Sequence, residues 1–246
     1  LHPAWERARG RSTLQYLRHL EETQWRTREE LEALQLGNLR RLLAHAHRNV
    51  PAQRDAMQKV GFHPNDLRTV ADLRALPILT RRELRAQGEA RASTAPPFCT
   101  VKKTTSGSTG EPLLVAYDQR SEDFRQAVKL RGWGWAGYHM GARTLYYWGA
   151  GRPPASRVTR TKIAVDRGLK RELYVDCGRR NDEDLAVAVE QIRRFRPQII
   201  IGFAQGLADL AKYVVARGVR DWSDIPVLSG AERLFPQDRA VLEQAF

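Results

Sequence analysis

The order of elements after about residue 140 constrains this chain more than anything else in it. Short β-type runs, Thr144 to Trp148, Glu172 to Asp176, Gln198 to Phe203 and Ile225 to Ser229, alternate with helical stretches. Asp182 to Phe195 carries Leu185, Val189 and Ile192 on one face, Leu207 to Ala216 is stopped by Gly218, and Pro236 to Phe246 is the last helix. A strand that passes through a helix into the next strand returns parallel to the first, because the crossover packs back on the sheet with one hand. The fold expected is α/β, a mainly parallel sheet with flanking helices. Within this pattern Arg152 to Arg171 reads as a mobile or solvent-covering loop on the ligand side of the sheet.

The first ninety-odd residues follow a different grammar. Leu31, Leu34, Leu39, Leu42, Leu43 and Ala46 recur at three- and four-residue intervals and predict an amphipathic helix. Thr27 to Glu30 and Thr80 to Glu83 are capping boxes, in which a threonine hydroxyl and a glutamate satisfy each other's backbone N–H groups. Pro51 ends one helix or opens the next, and Gly61 to Asp66 is a turn cluster. From Phe98 the β-type runs Phe98 to Val101 and Leu113 to Tyr117 flank a loop, and Ser121 is placed to cap the helix that follows. The division expected is a helical lead-in over 1–96 and an α/β part over 97–246.

The 246 residues are 42% hydrophobic and 28% charged, enough apolar content for a core. The longest apolar stretch, Ile199 to Ala204, is far short of the ~18 residues of a membrane span. The first residues lack the apolar segment of a secretion signal, so a cytoplasmic location is expected. The chain starts at Leu1 rather than Met, which suggests a processed chain or a fragment. Cys99 and Cys177 have no Cys-x-x-Cys spacing and read as reduced structural thiols. The six histidines include no metal-ligand pair, since His45 and His47 stand two apart and point to different helix faces. No metal ligand is assigned.

The net charge of +13 makes nucleic-acid binding one function to weigh. Most basic residues interleave with acidic ones, as in Thr27 to Glu30, and describe solvated helix faces. Arg152, Arg157, Arg160, Lys162, Arg167, Lys170 and Arg171 are different, because they face a lone Asp166. That segment is a solvated loop, a holder of phosphate groups on a small molecule, or a contact for nucleic acid.

The most informative stretch is Thr104 to Pro112, Thr-Thr-Ser-Gly-Ser-Thr-Gly-Glu-Pro. Its glycines let main-chain N–H groups approach a ligand, and its hydroxyls add donors, which suits phosphate. It departs from a Walker A loop, since Gly107 and Gly110 are three apart and no Lys-Ser/Thr follows. A plain polar hairpin tip has the same composition.

Thr105 to Pro112 resembles the Ser/Thr/Gly-rich loop of the adenylate-forming superfamily, which includes the acyl- and aryl-CoA synthetases. The stretches "HAHRNVPAQRDAMQKVGF", "TVADLRALPILTRRELR", "RFRPQIIIGFAQGLADLA" and "LSGAERLFPQDRAVLEQAF" are most similar to its branch of phenylacetate-CoA ligases and capsular-polysaccharide biosynthesis proteins, over roughly residues 30–246. The resemblance implies two-step chemistry in the intact enzyme. A carboxylate attacks the α-phosphate of ATP, pyrophosphate leaves, and a thiol, usually coenzyme A, captures the acyl-adenylate.

By the same resemblance Thr105, Ser106, Gly107, Ser108, Thr109 and Gly110 grip the β- and γ-phosphates. Gly230, Ala231 and Glu232, with Ser229 before them, form the turn that lies along the adenine, and Phe203 lies near the acyl pocket; a strand-to-helix turn and a core aromatic account for the same residues. Lys102 and Lys103 stand near the phosphate loop. The family's Tyr-Gly-x-Ser/Thr-Glu motif, whose Glu helps hold Mg²⁺, is absent, as is the small C-terminal domain with its catalytic Lys. The chain is therefore expected to be the N-terminal part of a longer ligase, inactive alone and with no catalytic residue assigned. A basic nucleic-acid-binding protein and a subunit completed by a partner chain are the alternatives. Trp133, Trp135, Tyr146, Tyr147 and Trp148 read as packing residues.

Overall fold

The computed structural model describes residues 10–96, 101–104, 113–149 and 156–246. Two compact units divide the chain, one of them Arg11–Val128 and the other containing Lys129–Phe246.

In the first unit α1 (Thr13–Thr23) is followed by α2 (Arg28–Asn49) and α3 (Pro51–Lys59). The capping box before α2 forms as expected: Thr27 accepts the Glu30 N–H and Glu30 accepts the Thr27 N–H at 2.9 Å. Pro51 opens α3 at its first position, where a missing N–H costs nothing. Leu43, Met57, Phe62 and Leu67 form a small core with Leu39 and Ala46 packed against it. Leu42 departs from the sequence reading and is 62% exposed, because the inward stripe runs through Leu39, Leu43 and Ala46. The second capping box, Thr80 with Glu83, opens α4 (Arg81–Gln87).

Strands β1 (Val101–Thr104) and β2 (Leu114–Tyr117) pair antiparallel, with Thr104 opposite Leu114. The Ser/Thr/Gly loop therefore joins two paired strands; Phe98 to Thr100, Thr105 to Gly110 and Cys99 lie outside the described residues. Helix α5 (Gln119–Gly134) follows, and the boundary between the units falls within it. Asp118 caps it by accepting the Ser121 N–H at 2.6 Å, so Ser121 is capped rather than capping.

Asp123 of α5 is 2% exposed and accepts from Arg11 (2.8 Å), the Ser12 N–H (2.8 Å) and Gln119 (2.9 Å). Burial pushes its carboxyl up, but those three donors outweigh burial and hold it below the ordinary carboxylate range.

The second unit is a four-stranded parallel sheet with helices on both faces. Strands β3 (Thr144–Trp148), β4 (Glu172–Asp176), β5 (Ile199–Phe203) and β6 (Val227–Gly230) lie in the order β4-β3-β5-β6. The first two match the sequence reading residue for residue; β6 begins two residues late, after Pro226. Four of the five β5 residues are buried, as befits a central strand of a sheet covered on both sides.

Helices α7 (Asp182–Phe195), α8 (Ala204–Arg217) and α9 (Pro236–Ala245) complete the unit. Leu145, Tyr147 and Ile200 point to one face of the sheet and meet Leu185, Ile192, Leu207 and Leu210 in the main core. Gly202 permits that contact, since a Cβ there would stand 2.5 Å from the Tyr147 carbonyl oxygen and 2.9 Å from Leu207 Cγ.

The other face carries Thr144, Tyr146 and Trp148, in register with Glu172, Tyr174 and Asp176. Here the sequence expectation of a loop is corrected: Arg157–Lys170 is a helix, α6. Ser156 caps it by accepting the Thr159 N–H at 3.2 Å, and Arg171 ends it in the left-handed conformation at φ 60°. The run of basic residues reads as a loop, yet charge on a solvated face is as compatible with a helix as with a loop; Gly168 sits in the last turn, where it does not break the helix.

Candidate nucleotide and acyl site

In an open α/β sheet a ligand collects outside the carboxyl ends of the strands, where neighbouring crossovers run in opposite directions. The order β4-β3-β5-β6 puts that switch between β3 and β5. Trp148 ends β3 and Phe203 ends β5, and their rings stack with centroids 4.1 Å apart at 26°. Phe203 is opposite Gly230 in the β5–β6 register. The expected acyl-pocket residue and the expected adenine turn therefore stand side by side at one edge. Trp148, read as a packing residue, belongs to the same place.

The turn after β6 is backbone-strained. Ala231 has φ 66°, a left-handed conformation that costs a non-glycine residue about 1 kcal/mol. Next to it, Glu232 accepts the Gln205 backbone N–H at 3.0 Å. That N–H is one of the free donors in the first turn of α8, which has no side-chain cap from its own N-cap residue Phe203. Glu232 thus serves as a cap from a distant segment, and its negative charge suits the positive end of the helix. Gln205 also donates to Asp209 (3.1 Å), which pairs with Arg180 at 2.8 Å. The loops after β4, β5 and β6 are tied together at the carboxyl edge. Gln205, Asp209 and Arg180 were not singled out from the sequence; only tertiary contact connects residues 27 and 29 apart.

Cys177, just beyond β4, is buried and free. Burial, and less so Asp176, pushes its thiol up, so it is a poor nucleophile. Its Cβ would be 3.1 Å from a Cβ on Gly206, which explains the small residue in the first turn of α8. Tyr147, beneath it, is pushed up to about 12 by burial.

Of the two lysines that precede the Ser/Thr/Gly loop, Lys103 is committed to Glu122 at 3.1 Å, and Lys102 is exposed. Since β3 ends at the carboxyl edge and β4 starts at the opposite one, α6 opens toward the carboxyl edge. Arg157, Arg160 and Lys162 lie in its first two turns and have no acidic partner among the described residues. Farther along, Lys170 pairs with Asp166 at 2.7 Å and Arg167 lies 3.9 Å over the Tyr174 ring. In the middle of β3 and β4, on the same face, Tyr174 stacks on Tyr146 at 4.5 Å. Burial raises the Glu172 carboxyl beside them, against the opposing pull of Lys170 and Lys129.

Among the described residues no three His, Cys, Asp or Glu come together in a way that would hold a metal ion. No helix among them is long and apolar enough to cross a membrane.

No protein-family model matches the chain. It is 38% identical over 96 residues to the phenylacetate-coenzyme A ligase of Escherichia coli (strain K12), covering 39% of this chain and 22% of that protein. It is 27% identical over 228 residues to the phenylacetate-coenzyme A ligase of Pseudomonas putida, covering 88% of this chain and 48% of that one. An open conformation of 2-hydroxyisobutyryl-CoA ligase, in complex with 2-HIB-AMP and CoA, has the same fold with a TM-score of 0.63 at 15% identity; the match covers 89% of this chain and 52% of that one. The chain spans about half the length, or less, of these relatives.

Proposed function

We propose that this chain, a partial relative of the phenylacetate-CoA ligases in the adenylate-forming superfamily, is the N-terminal part of an ATP-dependent, AMP-forming ligase that activates a carboxylic acid, aryl or acyl, as its adenylate for transfer to coenzyme A. The observation that carries the reading is the meeting of Trp148, Phe203 and the Gly230 to Glu232 turn at the switch point of the sheet. Residues 97–246 are the nucleotide-binding part, and 1–96 are the helical lead-in. The stacked rings present an apolar wall suited to an organic acid, while the turn beside them lies along the adenine. Thr105 to Gly110 supply N–H and O–H donors to the β- and γ-phosphates. Arg157 and Arg160, opening α6 on the ligand side, are placed to meet the phosphates of coenzyme A.

Adenylation gathers charge on a five-coordinate phosphorus and on the departing pyrophosphate, and fixed donors in a closed site stabilise it. Each such donor removed typically costs about 10²–10³ in rate. The Tyr-Gly-x-Ser/Thr-Glu motif and the Lys-bearing domain expected of the family are not in these 246 residues. The intact ligase works with ATP, Mg²⁺ and coenzyme A in the cytoplasm, and the isolated chain binds ATP weakly without turning it over.

The test is pyrophosphate release from ATP with a panel of aryl and acyl acids, together with direct ATP binding, in the chain and in Gly107→Pro. Weak ATP binding that Gly107→Pro abolishes, with no release, is the expected result. Robust release by the chain alone would overturn its incompleteness. Nucleic-acid binding that falls steeply with salt and ignores ATP would favour the basic binding protein instead.

A further inference from the structure

A surface helix of a globular protein usually turns its apolar stripe to the core and its charges to water. Helix α6 is mounted the other way round. Arg167 lies 3.9 Å over the Tyr174 ring of β4, so the side that carries Arg167 faces the sheet. At about 100° per residue, Val158, Lys162, Val165 and Leu169 fall on the opposite side, within about 60° of one another. Val158, Val165 and Leu169 are 78%, 57% and 44% exposed, so among the described residues the stripe is uncovered.

The spacing is that of a helix seam. Val158, Lys162, Val165 and Leu169 alternate steps of four and three residues, which keeps one line of side chains against a second helix. The residues beside the line are short: Thr159 and Asp166 follow the two valines, and Thr161 and Gly168 precede the lysine and the leucine. Short flanks let the axis of a partner helix come close. One seam position is a cation. Lys162 is exposed and has no acidic partner among the described residues, while the lone acid of the helix, Asp166, is bonded to Lys170 at 2.7 Å. A seam closed over Lys162 without a carboxylate would bury an unpaired charge.

That requirement selects among occupants. A second copy of α6, crossing in either sense, would bring two Lys162 side chains and no free acid into one seam. A membrane surface would take the cations, but interfacial helices sink Trp, Phe and Leu, and this stripe offers two valines and one leucine. Nucleic acid would meet the cations and leave the aliphatic line in water. We propose that the outer face of α6 docks one helix of an acidic partner protein, whose apolar seam covers Val158, Val165 and Leu169 and whose Asp or Glu carboxylate meets Lys162. Arg157, Arg160, Lys162, Arg167, Lys170 and Arg171, set against the one Asp166, draw such a partner in from a distance. The inference goes beyond the ligase reading and does not rest on it.

The probe is a synthetic three-heptad helical peptide with leucine along its seam, glutamate at the seam position that meets Lys162, and glutamate over its remaining faces. A sister peptide carries lysine at that one seam position. Binding of each to the full chain is read by fluorescence anisotropy at near-physiological salt. The glutamate peptide should bind about tenfold tighter than its sister, and Lys162→Glu, a change at an exposed position, should reverse the order. Val165→Gln should weaken the glutamate peptide about fivefold. Val187→Gln, an equally exposed valine on α7, should leave it unchanged. No binding, equal binding of the two peptides, or an order that Lys162→Glu does not reverse would overturn the proposal. An equal loss in Val187→Gln would do the same, by marking general stickiness. Sedimentation of the chain alone and with vesicles rich in phosphatidylserine tests the other occupants: self-association, or vesicle capture, that Val165→Gln abolishes would give the face to a second copy or to a membrane instead.

Discussion

Two carboxylates, one in each unit, are pushed in opposite directions. Asp123 is the more deeply buried, yet its carboxyl is held down. Glu172 is only partly buried, yet its carboxyl is held up. The difference lies in the donors each one meets. Asp123 accepts short bonds from Arg11, the Ser12 N–H and Gln119. Glu172 meets a 3.5 Å contact from the Tyr174 hydroxyl, and Lys170 is bonded to Asp166. Burial alone therefore does not fix the sign of a shift; the donors that survive burial do.

The largest effect should come from Asp123→Ala, which strands the Arg11 guanidinium and the Ser12 N–H and should cost about 3 kcal/mol, read as a drop in the urea midpoint. An effect below about 1 kcal/mol would mean that water replaces the carboxylate cheaply, and the contrast with Glu172 would lapse.

The pH profiles should cross. The Asp123 contribution is present above the unfolded value of about 3.9 and is lost as pH falls through the lower folded value. The Glu172 contribution runs the other way, fully present below about 4.3 and lost as pH rises through its higher folded value. Thermal midpoints from pH 3 to 7 should show Asp123→Asn falling further behind the parent as pH rises. Glu172→Gln should gain on the parent over the same range. Parallel trends would break the comparison.

A smaller effect is expected of Arg167→Ala, which removes a cation from the Tyr174 ring and should cost about 0.5–1 kcal/mol. It should also raise the Tyr174 hydroxyl further. Burial and Glu172 already push that group to about 12, and Arg167 pulls it back. Ultraviolet titration of the variant should lose one tyrosine from the group ionising near pH 12. An unchanged curve would show that Arg167 does not act on that ring.

Much of this architecture is legible in the sequence where local signals suffice. Strands β3 and β4, helix α7 and both capping boxes stand where periodicity and Ser/Thr-x-x-Glu spacing put them. Helix α8 starts three residues before the expected Leu207 because Gly206, a packing residue against Cys177, looks like a breaker from sequence alone. At the candidate site, Phe203 and Gly230 are marked by the strand ends they occupy. Trp148 is not, because its partnership with Phe203 depends on a register between segments 55 residues apart. Glu232 was legible as part of a turn and illegible as a helix cap, since the N–H that it satisfies belongs to another crossover.

The strand order also has a consequence in time. On the growing chain β3 can take β4 as its neighbour early, but its other side waits for β5, as Arg143 waits for Gln198 across 55 residues. Contacts so distant in sequence close slowly. Until β5 arrives, the half of β3 that will face it, with Leu145 and Tyr147 uncovered by α8, is an open sticky edge. Yield in a host should therefore depend on chaperones and on slow synthesis between Asp176 and Ile199 more than on the stability of the finished sheet.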